Sequence, residues 1–153
     1  MPSFEDMFMK SKGEPVIYQG KTLVMLDDFP TEGATKMRLV FEICNGEWRQ
    51  GASLRFREKG EILMNGQHLK HAVCWHDTAP HTVEFAVTGE ATTIEVKNVW
   101  DVGNGVIESW HNGAAMIVEP LPDGRRYLCN DGFADDDFDD IVFRLERGQN
   151  TSK

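Results

Sequence analysis

The stretch KMRLVFEIC, residues 36–44, alternates apolar and polar side chains and is followed directly by Asn45 and Gly46. Successive side chains of an extended strand point to opposite faces, so this alternation predicts a strand with one apolar face. An Asn-Gly pair favours the tight turn of a β-hairpin. The predicted apolar face comprises Met37, Leu39, Phe41 and Ile43.

Similar runs with a period of two recur along the chain, and Gly, Asn, Asp and Pro separate them. Three examples are ASLRFRE, residues 52–58, HTVEFAVT, residues 81–88, and IVFRLE, residues 141–146, and each predicts a strand. No stretch keeps the helical period of about 3.6 residues for three turns. We therefore predict an all-β protein, a single antiparallel β-sandwich of jelly-roll-like type over residues 16–147. Residues 1–15 are expected to form a short N-terminal arm or helical turn, and residues 148–153 a disordered tail.

The composition indicates one domain with a substantial core, because 41% of the 153 residues are hydrophobic. No apolar run approaches the ~20 residues that a membrane-spanning helix needs. The first fifteen residues carry acids and lack the apolar stretch of a secretory signal. These features predict a cytoplasmic location and leave an extracellular one open. The three cysteines form no C-x-x-C pair, so neither a zinc site nor a disulfide framework is expected.

The formal net charge is −9, and most of the excess is local. Residues 131–140 contain six Asp and no basic residue, so without them the net charge would be −9 + 6 = −3. Nucleic acids and anionic membranes attract clustered Lys and Arg. The charge therefore argues against both as partners and requires a local explanation.

Six carboxylates within ten residues repel one another unless water screens them or a cation binds them. Calcium takes about six to eight oxygen ligands, including carboxylates and carbonyls. An EF-hand is rejected, because Asp140 occupies the position at which that loop requires Gly. A solvated acidic loop that protects a sheet edge is the alternative. The predicted calcium ligands in this segment are Asn130, Asp131, Asp135, Asp137, Asp139 and Asp140.

The run DDDFDDIVF, residues 135–143, resembles the acidic final strands of calcium-rich bacterial surface domains. The segment from Asn130 to Glu146 is similar to the ends of small calcium-dependent lectins and of calcium-binding carbohydrate-binding modules. The resemblance implies a jelly-roll sandwich in which a structural calcium links the first and last strands. Asp27 and Asp28, which follow an early strand, would then be further calcium ligands.

Two segments combine Trp with polar side chains: HLKHAVCWHDTAPH, residues 68–81, and NVWDVGNGVIESWHNGAAM, residues 98–116. A Trp ring stacks on the apolar side of a sugar while Asn, Asp and His bind its hydroxyls. The glycines of the second segment predict a long loop that presents Trp100 and Trp110. A purely structural role of the Trp rings stays open. The predicted ligand-binding residues are Trp75, His76, Trp100, Asp101, Asn104, Trp110, His111 and Asn112.

Three functions compete at this point. The first is a calcium-dependent binding module, above all for carbohydrate. The second is a small acid/base enzyme of isomerase or cyclase type on the same calcium-stabilised scaffold, with Asp101, Glu108 and His111 as catalytic residues. The third is an acidic inhibitor or immunity-type protein that binds a basic partner. We expect the ligand to be a small molecule or a glycan, and we expect neither nucleic acid nor membrane as a partner. A homodimer is one oligomeric state that the sequence leaves open.

Overall fold

The computed structural model describes residues 4–57, 59–90, 92–109, 113–131 and 138–148. Within these residues one helix precedes thirteen strands. Their bounds are α1 Phe4–Lys10, β1 Val16–Tyr18, β2 Lys21–Leu23, β3 Asp27–Pro30, β4 Lys36–Cys44, β5 Arg49–Arg55, β6 Gly60–Met64, β7 Gln67–Leu69, β8 His71–Trp75, β9 Thr82–Gly89, β10 Thr93–Asp101, β11 Ala115–Leu121, β12 Gly124–Asn130 and β13 Ile141–Arg147.

Strands β3 to β10 are divided between two antiparallel sheets. The smaller sheet has the order β3-β10-β5-β8, and the larger sheet contains β4-β9-β6-β7. The first of these eight strands thus neighbours the eighth, and the second neighbours the seventh, which is the strand order of a jelly roll. Strands β13, β12 and β11 extend the larger sheet beyond β4. The predicted all-β sandwich is confirmed.

The main core lies between the two sheets and contains the apolar face of β4. Met37, Leu39 and Phe41 are buried there, as the alternation in the sequence predicts. Ile43 was expected on the same face but is 43% exposed. The strand register between β13 and β4 shifts at Val142/Phe143. This irregularity changes which side chains face the core, so Ile43 leaves it.

The predicted N-terminal arm is a helix that covers the outer face of β11 and β12. Phe4 and Phe8 are four residues apart, so they share one helix face, and both are buried. They pack in a second apolar cluster with Leu23, Ala115 and Phe138. The helix ends where Gly13, at φ 84°, donates its N–H to the carbonyl of Phe8. No helix in the described ranges is long and apolar enough to cross a membrane.

Alternating charges cover part of the outer face of the larger sheet. Each acid in the series contacts at least one arginine on a neighbouring strand or its own, at 2.8–3.4 Å. The series runs Arg38, Glu146, Arg144, Glu42, Arg126 and Glu119. These ion pairs link β4, β11, β12 and β13 across the part of the outer face that they occupy.

Gly148 follows β13 and is the last residue that the structure describes; its N–H donates to the carbonyl of Lys36 at 2.7 Å. Residues 149–153, the remainder of the predicted tail, lie outside the described residues.

Candidate functional site

Most of the residues singled out from the sequence converge at one end of the sandwich, which we call the loop end. Strands β4, β8, β10 and β12 end there, and β5, β11 and β13 begin there. Those that the structure brings to this end are Trp75, His76, Trp100, Asp101, Asn104, Glu108, Asn130, Asp131, Asp139 and Asp140. The predicted site residues Trp110, His111, Asn112, Asp135 and Asp137 lie outside the described residues.

The two ends of the acidic segment are joined to each other by hydrogen bonds. Asp140 Oδ2 accepts the N–H of Asp131 at 2.9 Å, and Asn130 Oδ1 accepts the N–H of Phe138 at 2.7 Å. The β4–β5 turn joins them, because Asn45 and Gly46 both donate their N–H to the carbonyl of Asp140 at 3.0 Å. The described ends of the segment are therefore joined to the turn at the loop end, and we call these residues the acidic base.

Two carboxylates of this base are buried, Asp131 at 2% exposure and Asp140 at 7%. Asp139 is half-buried and accepts a hydrogen bond from Asn45 Nδ2 at 3.2 Å. The local potential is negative: burial first, and then the charges of Asp140 and Asp77, raise the pKa of the Cys44 thiol. Negative charge of this kind would favour a cation at this position.

Gln50, the second residue of β5, lies beside Asp131 and is 1% exposed. Its Nε2 donates to Asp131 Oδ2 at 2.7 Å and to the carbonyl of Trp48 at 3.2 Å. Its Oε1 is buried and accepts no hydrogen bond from the part of the chain that the structure describes. A buried acceptor without a donor costs about 1–3 kcal/mol. This oxygen therefore marks a position at which a cation, or a donor group of a ligand, would be stabilised.

Gly46 makes the close contact between the turn and this amide feasible. A Cβ at this position would clash with the amide of Gln50 and come within 3.2 Å of Asp131 Oδ2. The second residue of the Asn-Gly turn is therefore required to be glycine by packing against the candidate site.

Asp27 and Asp28, expected from the resemblance to share a calcium with the acidic segment, lie elsewhere. Asp27 Oδ2 accepts hydrogen bonds from Arg125 Nη1 at 2.8 Å and from the Tyr127 hydroxyl at 2.7 Å. Asp28 pairs with Arg57. Arg125 is the second residue of β12 and Asn130 the last, which corresponds to ~16 Å of extended strand. Arginines thus compensate Asp27 and Asp28, and the structure does not bring them to the predicted ligands that it describes, Asn130, Asp131, Asp139 and Asp140.

Two Trp rings stack at the loop end. Trp48 and Trp100 lie 6.5 Å apart between ring centroids at an interplanar angle of 17°. Trp48 is half-buried, whereas Trp100 is 2% exposed and belongs to β10 rather than to a loop. Trp100 therefore closes the core, and the expectation that a loop presents it to a ligand is not met. Trp48, which the sequence did not single out, has the more accessible ring.

Trp75 lies on the outer face of the smaller sheet, half-exposed and opposite Gly51. A Cβ at Gly51 would come within 3.0 Å of the Trp75 ring, so glycine lets the ring lie close to the sheet. The guanidinium of Arg49 stands 4.4 Å from the ring centroid and donates to both carboxylate oxygens of Asp77. His76 is exposed and meets the Phe41 ring edge-on at 5.6 Å.

The loop after β10 is held in one conformation by its own hydrogen bonds. Asp101 Oδ1 accepts the N–H groups of Gly103, Asn104 and Gly105 at 2.8–3.2 Å. Trp100 and Glu108 exchange two backbone hydrogen bonds that close the loop. Asp101 thus has a structural role in the turn, and the catalytic roles predicted for Asp101, Glu108 and His111 stay a prediction. The loop exposes three aliphatic side chains, Val102, Val106 and Ile107, by 40–54%.

No protein-family model matches this chain, and no curated protein is significantly similar to it in sequence. The candidate site therefore depends on its own geometry. Over the described ranges, no three His, Cys, Asp or Glu side chains form a group that could hold a metal ion. A cation site built from these residues would need neutral oxygens, such as Gln50 Oε1, in addition to carboxylates.

Sequence reasoning did not identify Gln50, Trp48 and Arg49, because strand β5 was predicted to start only at Ala52. A signal for Gln50 was nevertheless present. It is in phase with Ala52 and Leu54, which are buried in the core. A polar residue at a core-facing position of a strand is one that requires a partner.

Proposed function

We propose that this protein is a calcium-binding recognition module that binds carbohydrate at the loop end. The observation that carries the proposal is the buried Gln50 Oε1, for which the described part of the chain supplies no donor. This oxygen belongs to an amide in contact with the buried Asp131. Amide oxygens and carboxylates are ligands that calcium prefers. The proposal thus assigns this oxygen a partner and the acidic segment a cation.

Calcium fits this set of ligands better than a transition metal does. The amide contacts the carboxylate of Asp131, and Asp140 and Asn130 at the ends of the acidic segment also offer oxygen. Hard cations prefer oxygen. The sequence supplies three further carboxylates at residues 135–137. Calcium accepts irregular sets of about six to eight oxygens, whereas magnesium requires a near-octahedral set.

The carbohydrate part of the proposal is supported by the rings and polar groups beside the acidic base. Trp48 and Trp75 are both accessible enough to present part of a ring to a sugar. Arg49, His76 and Asp77 lie next to them and can exchange hydrogen bonds with hydroxyls.

Thermal unfolding of chelator-treated protein, with and without millimolar calcium, tests the cation site. A ligand present at 100 times its Kd stabilises the folded state by ~2.7 kcal/mol, which in a domain of this size raises Tm by about 5–11 °C. Asp139→Asn should reduce the increase and Asp140→Asn should abolish it. Asp6→Asn, an exposed carboxylate on α1, is the control and should retain it. An unchanged Tm at saturating calcium would contradict the cation site.

Binding of the wild-type protein to an immobilised glycan panel, in calcium and in chelator, tests the recognition site. Trp48→Ala and Trp75→Ala should each weaken binding, because each removes a ring that a sugar can stack on. Trp48→Phe keeps an aromatic ring and should retain part of the affinity. Absence of binding to every glycan in both conditions would contradict the carbohydrate proposal while leaving the calcium result intact.

A second candidate, the acidic interaction protein, is favoured by the loop after β10. Its exposed Val102, Val106 and Ile107 stand on a rigid turn next to an electronegative surface, an arrangement that suits a protein partner with an apolar patch and a basic rim. A Tm that does not respond to calcium would favour this candidate. Ile107→Asp should then prevent complex formation with a basic partner at unchanged stability.

A further inference from the structure

Strand β8 forms an edge of the smaller sheet and lacks the features that usually protect such an edge. Of the residues His71–Trp75, none is Lys, Glu, Asp or Pro. The opposite edge, β3, contains Asp27, Asp28 and Pro30. At the edges of the larger sheet, β7 has three residues and β11 is bridged by Val24. Charges, prolines, short strands and covering segments are the usual means of preventing edge-to-edge pairing.

The backbone N–H and C=O groups of β8 point alternately toward the neighbouring strand β5 and toward the open edge of the sheet. Lys70 accepts a hydrogen bond from Phe56 of the neighbouring chain segment, and His76 donates one to Gln50. In an antiparallel pair, residues that bond the neighbour alternate with residues that do not. The backbone groups of Ala72 and Cys74 therefore hydrogen-bond to β5. Those of His71, Val73 and Trp75 point to the open edge of the sheet. Within the described ranges no strand pairs with that side.

We propose that β8 pairs with β8 of a second copy of this chain, antiparallel and centred on Val73. In this register His71 lies opposite Trp75 of the copy, and Val73 lies opposite itself. The three residues whose backbone groups point to the open edge then lie opposite the same three residues of the copy. This pairing gives about six backbone hydrogen bonds across the two-fold axis. The two smaller sheets would become one continuous sheet.

The charges next to β8 are compatible with this register. Lys70 lies opposite His76 of the copy and one residue from its Asp77, so unlike charges approach one another at both ends of the interface. The net charge of −9 on each copy opposes association over longer distances. Salt screens this repulsion, so the dimer is expected to be tighter at 150 mM salt, where the Debye length is about 8 Å, than at low salt.

The dimer would be bivalent rather than share one site. Antiparallel pairing reverses the direction of β8 in the copy, so the two loop ends lie at opposite ends of the joined sheet. Ligands on one surface could then be bound by one copy and ligands on another surface by the other.

Sedimentation equilibrium of the wild-type chain and of variants at Val73 tests the pairing. Val73 is half-buried on the outer face of the sheet, so a long polar side chain can reach solvent in the monomer. Val73→Lys places two ammonium groups opposite each other across the two-fold axis, and Val73→Glu places two carboxylates there. Each variant alone should raise the dimer Kd by about tenfold, corresponding to ~1.4 kcal/mol. An equimolar mixture of the two should restore the dimer.

Ile17→Lys, at an exposed apolar position on β1, is the control and should leave dimerisation unchanged. Wild-type protein that stays monomeric up to millimolar concentration would overturn the proposal. So would an unchanged dimer Kd in Val73→Lys, or a mixture that fails to associate although each variant melts like the wild type. None of these readouts depends on calcium or on a glycan.

Discussion

Replacing Gln50 by Glu changes one atom, the donor Nε2, into an oxygen at the centre of the candidate cation site. In wild-type protein Nε2 donates to the buried Asp131 Oδ2 at 2.7 Å. The variant loses this bond and places a second carboxylate against the first. A hydrogen bond to a charged group contributes about 1.5–3 kcal/mol. Without calcium we therefore expect Gln50→Glu to be destabilised by at least this amount, since repulsion adds to the lost bond.

Calcium should reverse the sign of this effect. The variant offers the cation an additional carboxylate oxygen at a position where the wild type offers a neutral one, so calcium affinity is expected to rise. Each tenfold gain in affinity adds ~1.4 kcal/mol to the stabilisation at a given saturating calcium concentration. Gln50→Glu should therefore be less stable than wild type in chelator, and the difference should shrink or invert in millimolar calcium.

Urea unfolding in chelator and at several calcium concentrations measures both effects on one protein. Gln67→Glu, an exposed position on β7, carries the same charge change and should shift stability by less than about 0.5 kcal/mol in either condition. A Gln50→Glu variant that is destabilised to the same extent with and without calcium would refute the reasoning. It would show that Gln50 only holds Asp131 in place.

Two further predictions concern the scaffold. Tyr127→Phe should destabilise the fold by about 1–2 kcal/mol in urea unfolding, because the lost hydroxyl donates to the charged Asp27; no change would show that Arg125 alone satisfies this carboxylate. Burial raises the pKa of Glu42 and of Glu146, but hydrogen bonds from arginines outweigh it and lower both pKa values. These two carboxylates therefore stabilise the fold above the ordinary glutamate pKa of about 4.3, and this contribution disappears as the pH falls through their lower folded-state pKa values. Glu42→Gln should accordingly flatten the pH dependence of the unfolding free energy between about pH 5 and 3, and an unchanged slope would contradict the assigned ion pairs.

Strand positions were predictable where the two faces of a strand differ in polarity. Lys36–Cys44 was predicted with the bounds that the structure has. The start of β5 was missed because Arg49 and Gln50 are polar, and a polar pair after a turn looks like loop. The phase of Ile43 was missed because a strand irregularity depends on the partner strand, which is almost a hundred residues away in sequence. Local alternation does not encode it.

The acidic residues show the same limit for the site. Density of charge in the sequence predicted a cation at residues 131–140, and the resemblance to calcium-binding modules added Asp27 and Asp28. Arg125, the partner of Asp27, is 98 residues away in sequence, and Arg57, the partner of Asp28, is 29 residues away. The sheets bring each pair together. Only the fold separates carboxylates that arginines compensate, such as Asp27, from Asp131, which accepts a hydrogen bond from the amide of Gln50. Sequence spacing alone treats both alike.

Gln50 also connects the two halves of the loop end. Its side chain binds Asp131, and its backbone pairs with Trp100 on β10. The Trp100 ring stacks on Trp48, and the Trp100 backbone closes the loop after β10 by hydrogen bonds with Glu108. A cation that orders the Gln50 amide would therefore also fix the strand end that carries the aromatic pair. Coupling between two binding sites is reciprocal, so a glycan that binds tighter in calcium must raise the affinity for calcium by the same factor. Equal calcium affinities with and without a bound glycan would mean that the acidic base only stabilises the fold.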